Sequence, residues 1–584
     1  MAVEKLIVDH IDTWTTALQT RSTAGRGSSG KIELYGIKKL RELILELAVR
    51  GKLVPQDPND EPASELLKHI AAEKAELVKQ GKIKKPKPLP EISEEEKPFE
   101  LPAGWEWIKI SEIGHDWGQK TPDEDFTYID VGSINKEYGI IEEPSILSAK
   151  DAPSRARKIV QKGTVIYSTV RPYLLNIAII ESAFSPEPIA STAFAIIHPY
   201  TAMNANFIYY YLRSPVFINY VESCQTGVAY PAINDKQFFS GIIAVPPSSE
   251  QARITKKIKE LMSLCDQLEQ HSLTSLDAHQ QLVETLLTTL TDSQNADELT
   301  ENWARISEHF DTLFTTEPSI EALKQTILQL AVMGKLVPQD PNDEPASELL
   351  KRIAQEKAQL VKDGKIKKQK PLPPISDEEK PFELPDGWEW CLFEDVVDIQ
   401  SGITKGRNLA NRKLISIPYL RVANVQRGYL DLSEVKEIDI PEEEKDKYHV
   451  IKGDLLITEG GDWDTVGRTT VWCHDWYIAN QNHVFKGRVI GQDIDPYWLE
   501  TYMNSPYSRD YFASASKQTT NLASINKTQL RGCPVAIPPS SEAEKIMLKL
   551  NDFNELCEKL KLQIQSAQQT QLHLADALTD AAIN

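Results

Sequence analysis

Cysteine is scarce in this chain: six among 584 residues, at Cys224, Cys265, Cys391, Cys473, Cys533 and Cys557, with no C-x-x-C pair. That scatter gives neither a disulfide framework nor a cysteine-based zinc site. Long apolar runs are missing too, none approaching the roughly 18 residues of a membrane span. The opening MAVEKLIVDHIDTW carries acids where a secretory signal carries bases. A cytoplasmic protein with no membrane association is expected. Positive charge is also short: 65 Lys and Arg against 85 Asp and Glu leave a net charge of -20. Phosphate contacts need cations, so bulk electrostatics argue against a lone nucleic-acid binder. Any such surface must gather its bases on one face or borrow them from partners.

Cofactor motifs are lacking as well. There is no G-x-x-x-x-G-K-[ST] phosphate loop and no N-P-P-F methyltransferase tetrad. Gly25-x-Gly27, inside STAGRGSSGK (Ser22 to Lys31), has no preceding strand and reads as a flexible linker. The acid runs DEDF (Asp123 to Phe126) and PEEEKDK (Pro441 to Lys447) have no strand-placed lysine partner and read as solvated loops, and His474 and His483 read as strand or loop residues.

What the chain has is a duplication. GKLVPQDPNDEPASELLK occupies Gly51 to Lys68 and recurs letter for letter at Gly334 to Lys351, and the match runs on to GWEW at Trp107 and Trp390. Downstream, AVPPSSE (Ala244 to Glu250) answers AIPPSSE (Ala536 to Glu542), and Cys265 and Leu268 answer Cys557 and Leu560. Between these anchors lie two dissimilar inserts. A period of roughly 285 residues is too long for a solenoid unit, so each repeat is a domain plus connector. The frame is fixed and the insert varies, which assigns selectivity to the inserts. A pseudo-two-fold molecule of this kind suits duplex DNA read as two half-sites.

Periodicity places helices over Met1 to about Arg21, from Tyr35 to Gly51 (apolar face Ile37, Leu40, Ile44, Leu47), over Ala63 to Gln80 with Ser64 as N-cap, and over Asn206 to Arg213. KIKKPKPLP (Lys82 to Pro90) reads as an extended linker. Trp105 and Trp107 are read as core residues at the start of a strand-rich first insert with runs at Phe126 to Val131, Gly163 to Thr169, Ile177 to Ile180 and Thr192 to Ile197. A long helix from Ser249 to about Asp292 carries Ile254, Ile258, Leu261, Cys265 and Leu268 on one face; its C-terminal counterpart carries Ile546, Leu550, Phe553, Cys557 and Leu560. These stripes are expected to pack together as an antiparallel coiled coil, a rod of roughly 60 Å. The fold class is therefore α+β, with two pseudo-symmetric α/β domains separated by long helices. The segments are 1–107 (helical region with the first repeat), 108–248 (first recognition domain), 249–390 (central helices with the second repeat), 391–540 (second recognition domain) and 541–584 (C-terminal helix).

The second insert strings SGITKGRN, PYLRVANVQRG, KGDLLITEGGDWDTVGRTTVW, IANQNHVFKG and KQTTNLASINK along alternating apolar letters. Amides and guanidiniums in such loops suit bidentate reading of base edges, and glycine admits close backbone approach. Candidate readers are Arg421, Asn424, Gln426, Arg427, Thr458, Gln481, Asn482, Gln518, Thr519, Thr520 and Asn521. The first insert offers Ser133, Asn135, Lys136, Ser168, Arg171, Tyr173, Gln225, Thr226 and Tyr230. Lys405, Arg407, Arg155, Arg157 and Lys158 suit phosphates, which position without specifying.

The doubled frame GKLVPQDPNDEPASELL with FELPxGWEW, the two dissimilar inserts and the strings YLRVANVQRG, KGDLLIT and NQNHV resemble the specificity subunit of a Type I restriction-modification enzyme over almost the whole chain. The first insert departs from the clearest pattern, with YIDVGSINKEYG and KGTVIYSTVRPYLLN at the matching places. The resemblance implies a non-catalytic subunit whose two target-recognition domains each read one half of a split site in double-stranded DNA. It also implies assembly with two modification subunits, which methylate adenine at N6 from S-adenosylmethionine, and with restriction subunits driven by ATP and Mg, leaving no cofactor in this chain. The competing readings are a self-sufficient methyltransferase or nuclease, revived if the chain alone binds S-adenosylmethionine, and a coiled-coil protein scaffold, favoured if the assembled complex shows no dependence on DNA sequence.

Overall fold

The paired anchors of each repeat, far apart in the sequence, are neighbours in space. Strand Glu106–Lys109 lies antiparallel to Ile242–Val245 with Trp107 opposite Ala244, and Glu389–Leu392 lies antiparallel to Pro534–Ile537 with Trp390 opposite Ala536. Each insert thus begins and ends on one two-stranded ribbon of the frame, so its interior can change while its root stays fixed. The computed structural model describes residues 3–21, 31–84, 90–227, 230–461, 465–519 and 522–584. The Ser22 to Lys31 linker, but for Lys31 itself, and Pro86 to Pro88 of the basic tract are among the residues outside it.

The frame helix Tyr35–Val49 buries the expected face, Ile37, Leu40, Ile44 and Leu47, and its counterpart Glu317–Val332 buries Ile320, Leu323, Ile327 and Leu330. Gly51 and Gly334 follow these helices in the left-handed region, at φ +68° and +69°. The amides of Lys52 and Lys335 then fold back onto Leu47 and Leu330, closing carbonyls the helix leaves open. Ser64 does not cap the next helix: Ala63–Lys79 starts after Pro62, which puts Ser64 inside the first turn. The N-terminal stretch is not one helix to Arg21 either. Val3–Asp9 and Ile11–Thr16 are separate short helices, followed by strand Gln19–Arg21 pairing with Lys31–Glu33. The hydroxyls of Thr15 and Thr16 bond back to carbonyls of the preceding turn, the competition that makes threonine a poor helix extender.

Two long helices, Ser248–Asp292 and Ser540–Ile583, dominate the rest. The chain divides into two compact units, Met1–Ser275 with Ser566–Asn584, and Leu276–Gln565, so each long helix gives its start to one unit and its end to the other. In the first unit Arg41 bonds Asp266 and Glu269 at 2.6 Å, and Gln56 bonds Glu250 at 3.1 Å, which runs the start of the long helix antiparallel to Tyr35–Val49. Tyr35 bonds Asp576 at 2.7 Å and Lys52 reaches the carbonyl of Ile583, so the end of the other long helix runs parallel to it. The second unit repeats the scheme. Gln565 bonds Glu317 and Lys324 bonds Glu558, both at 2.8 Å, while His279 meets the Leu313 carbonyl at 2.9 Å and Lys335 that of Thr291 at 2.8 Å.

In both units, then, segments of the two long helices run antiparallel. Ile546, Leu550 and Cys557 share a core with Val283, Leu287 and Leu290, the end of the first long helix, and with the Ile320 to Leu330 face; Ile254, Ile258, Leu261 and Cys265 are buried in the other unit. The short frame helix Glu317–Val332 adds its apolar face to this core.

The inserts share one plan despite their dissimilar letters. Sheet order Gly114–His115, Phe194–Pro199, Val165–Ser168, Ile177–Ile179 in the first matches Val397–Gln400, Val484–Val489, Leu455–Thr458, Thr469–Val471 in the second. Each adds a second sheet with a parallel pair, Phe126–Ile129 with Pro188–Ser191 and Leu414–Leu420 with Ala479–Asn480. Helix pairs Ala205–Leu212 and Pro215–Cys224, or Pro496–Met503 and Pro506–Ala515, follow, with Ser214 and Ser505 capping ahead of the prolines.

Candidate nucleic-acid interface

In the first insert the chain leaves strand Val165–Ser168 into a loop whose backbone is fixed from several sides. Val170 and Thr226 both bridge to Ala232, the Arg171 amide donates to the Pro231 carbonyl at 2.8 Å, and the Ile233 amide donates to Thr169 at 2.9 Å. These bonds bring Ser168, Arg171, Tyr173, Gln225, Thr226 and Tyr230 together from two sequence regions. Tyr173 and Tyr230 are exposed, at 50% and 68%, and the Arg171 guanidinium lies 4.8 Å from the Tyr230 ring centre. Ser168 is buried, its hydroxyl bonded to the Val170 carbonyl, so it shapes the loop rather than facing outward.

The other first-insert candidates lie on separate elements. Asp130 accepts from the amide and hydroxyl of buried Ser133, and the Asn135 side chain accepts from the amides of Glu137 and Tyr138, so both organise the turn that exposes Lys136. Arg155 is exposed, half-buried Arg157 donates to the Ala156 carbonyl, and Lys158 is buried in an ion pair with Asp235 at 3.1 Å. Lys158 therefore braces the strand Ala156–Ile159 against the helix Asp235–Ser240 and is not presented to a phosphate.

In the second insert the parallel pair of strands gathers three loops. Gly402 sits so close that a side chain there would strike the Asn480 carbonyl at 2.2 Å. This glycine admits a neighbouring protein strand, not a duplex. The Ile403 amide then donates to the Asn480 carbonyl and the Ile403 carbonyl accepts from the Asn482 amide, which sets the loop carrying Lys405 against Gln481 and Asn482. Lys405 is exposed over the Tyr419 ring at 5.2 Å. Arg407 pairs with Glu444 at 2.8 Å and Arg421 with Glu434 at 2.8 Å. The hydrogen bond from Arg421 holds the Glu434 carboxyl below its ordinary range; burial would raise that of Glu444, yet Arg407, Arg412 and Lys447 together outweigh this and lower it. Asn424 is buried, accepting from the Arg421 amide and donating to the carbonyls of Asp431 and Glu434. Thr458 is buried on the Thr465 carbonyl. Both shape loops. Gln426 is half-buried, and its oxygen accepts from Arg468 at 2.6 Å; Arg427 is half-buried beside it.

Arg468 escaped the sequence reading, and His483 was read only as a strand or loop residue. Arg468 comes to Gln426 because the strand Thr469–Val471 returns beside Leu455–Thr458, and the Gly428 amide bonds the Thr469 carbonyl. His483 meets Glu459 at 2.5 Å. The only signal for either was position: each borders a predicted strand. Gln518 and Thr519 lie on the strand Lys517–Thr519, which pairs with Leu522–Ser524, and this in turn meets Gly460–Gly461, so their backbone joins the Thr458 loop. Their side chains, and Thr520 and Asn521, are outside the described residues.

Residues 102–278 and 385–567 match the family model described as Type I restriction modification DNA specificity domain. The chain is 50% identical over 597 residues to the Type I restriction enzyme EcoEI specificity subunit of Escherichia coli, and 50% identical over 604 residues to the EcoAI specificity subunit of the same species; both matches cover 100% of each chain. The crystal structure of an HsdS subunit from Thermoanaerobacter tengcongensis, 21% identical, aligns over 84% of this chain and 98% of that one with a TM-score of 0.41.

Proposed function

This chain belongs to the family of Type I restriction enzyme specificity subunits, and from that footing we propose that it is the DNA-reading, non-catalytic subunit of a restriction-modification complex, each insert reading one half of a bipartite site. The observation that carries this reading is the common root of two unlike inserts. Trp107 opposite Ala244 and Trp390 opposite Ala536 root the two domains alike, while the loops at matching places carry different side chains, Ser133, Asn135 and Lys136 against Asn424, Gln426 and Arg427. A protein that held two copies of one ligand would have no reason to diverge there.

Segments 108–248 and 391–540 are the two recognition domains in this reading, and 1–107, 249–390 and 541–584 form the frame. The frame docks two modification subunits, because it offers the same surface twice, and restriction subunits join that assembly. Adenine N6 methylation from S-adenosylmethionine and ATP- and Mg-dependent cleavage belong to those partners. In the second domain Gln426, Gln481, Asn482, Arg421 and Arg427 are the base-facing candidates, with Lys405 and Arg407 toward phosphates; Arg421 and Arg407 must exchange Glu434 and Glu444 for DNA to act so.

The experiment is genome-wide adenine methylation in cells carrying the chain with its modification subunit, against cells lacking only the chain. A split asymmetric motif that disappears with the chain is expected. Unchanged methylation would overturn the proposal.

A further inference from the structure

We propose that Arg171, held over the ring of Tyr230, reads a guanine in the half-site assigned to the first insert; the inference rests on the proposed function and names the residue that sets one base of it. Arg171 stands in the left-handed region, at φ 49° and ψ 58°. A non-glycine residue there costs on the order of 1 kcal/mol or more and persists only where its surroundings impose it. Here they do: the Arg171 amide donates to the Pro231 carbonyl, its own carbonyl accepts from Leu174, and Val170 beside it bridges to Ala232.

What this backbone presents is an exposed arginine. Among the described residues Arg171 has no carboxylate partner, in a chain of net charge -20 in which Arg407, Arg412 and Arg421 each hold one. Its guanidinium instead lies 4.8 Å from the centre of the Tyr230 ring. A planar cation stacked on an aromatic face gives up little further side-chain freedom when its N–H edge meets an acceptor pair, and Arg171 is itself exposed. Guanine presents two such acceptors, O6 and N7, in the major groove. The apolar rim fits an insertion against bases better than against the sugar-phosphate backbone: Val170 is 39% exposed, Tyr173 50% and Tyr230 68%. A phosphate contact, the rival reading, needs only charge and would not require the stack.

The test uses the assembled complex of this chain with its modification subunit, with Arg171→Lys, Tyr230→Phe and Tyr230→Leu compared by methylome and by methylation rates on duplexes altered at one base pair. Arg171→Lys keeps the charge and loses the fork. Expected is a motif that turns degenerate at one guanine in a single half-site, the half that Gln426→Ala leaves intact, with discrimination there falling about 5- to 150-fold. Tyr230→Phe should keep the motif, and Tyr230→Leu should loosen the same position by a smaller factor. Retention of the full motif by Arg171→Lys, or equal loss at both halves, overturns the inference. Absence of any split motif with the unaltered chain would instead sink the function on which it rests.

Discussion

The indole N–H of Trp388 donates to a carboxylate oxygen of Glu542 at 3.1 Å, at the root of the second insert. Trp105 does the same to Glu250 at 3.0 Å, and in each repeat a glutamine from the identical segment, Gln339 or Gln56, donates to the other carboxylate oxygen at 3.1 Å. This is why GWEW and PPSSE travel as a pair: tryptophan and glutamate from the two ends of an insert close one buried knot.

Removing the carboxylate leaves two donors without their acceptor, so Glu542→Ala and Glu250→Ala should each destabilise by about 1 to 3 kcal/mol. Burial also raises both carboxyls above the ordinary glutamate range. The folded state therefore holds these protons more tightly than the unfolded state. Their contribution is full below the ordinary range and is lost as pH climbs through the raised folded value. Denaturant melts from pH about 5 upward should show stability falling more steeply in the parent chain than in the Glu250→Gln, Glu542→Gln double variant. Parallel curves would show that the knot does not titrate.

Gly51 and Gly334 make a contrast with Gly81. At the first two a side chain would come within 2.5 Å of Pro102 or Pro385 and 3.1 or 2.9 Å of the knot tryptophans, whereas Gly81, at φ +70°, has nothing within 4 Å. Alanine at Gly81 meets only the left-handed penalty, about 1 kcal/mol. At Gly51 or Gly334 overpacking adds about 1 to 3 kcal/mol. Thermal melts of the three variants should rank accordingly, and equal losses would mean that the proline and indole give way.

Lys486 is buried in the second insert with its ammonium on the His449 and Lys447 carbonyls, and burial pulls its pKa down to about 8. The unfolded chain then binds the proton more tightly between about pH 8 and 10. Stability from this group is complete above the ordinary lysine range and is lost as pH falls through 8, on the order of 3 kcal/mol. Raising pH from 8 to 9.5 should stabilise the parent relative to Lys486→Met; a flat difference would put the ammonium in contact with water.

Much of the frame was legible because its letters do one job each. Ile37, Leu40, Ile44 and Leu47 recur at helical spacing and are buried, and a repeat of eighteen letters needs no structure to be seen. The inserts were legible as strands but not as a site. Asn424 and Thr458 are chemically the same whether they hold a loop or read a base, and only the position of the Asp431 and Thr465 carbonyls, set by long-range pairing, decides it. What covers each stripe was open for a related reason. Periodicity shows that Ile546 and Leu550 need cover, yet several apolar faces could provide it, and topology brought Val283 and Leu287.

The contact between Gln426 and Arg468, 2.6 Å, makes a prediction about coupling. Gln426 also donates to the Ala423 carbonyl, so its amide plane is fixed at both ends. If the pair meets DNA as one unit, truncating either partner releases the other. Base discrimination in the second half-site should then drop about 5- to 150-fold for Gln426→Ala and for Arg468→Ala, with little further loss in the double variant, a coupling of about 0.5 to 3 kcal/mol. Combining Gln426→Ala with Arg171→Lys should instead give additive effects, since the two changes lie in different units. Methylation rates on duplexes altered one base pair at a time measure both cycles. Additivity within the first pair would mean that Arg468 only supports the loop.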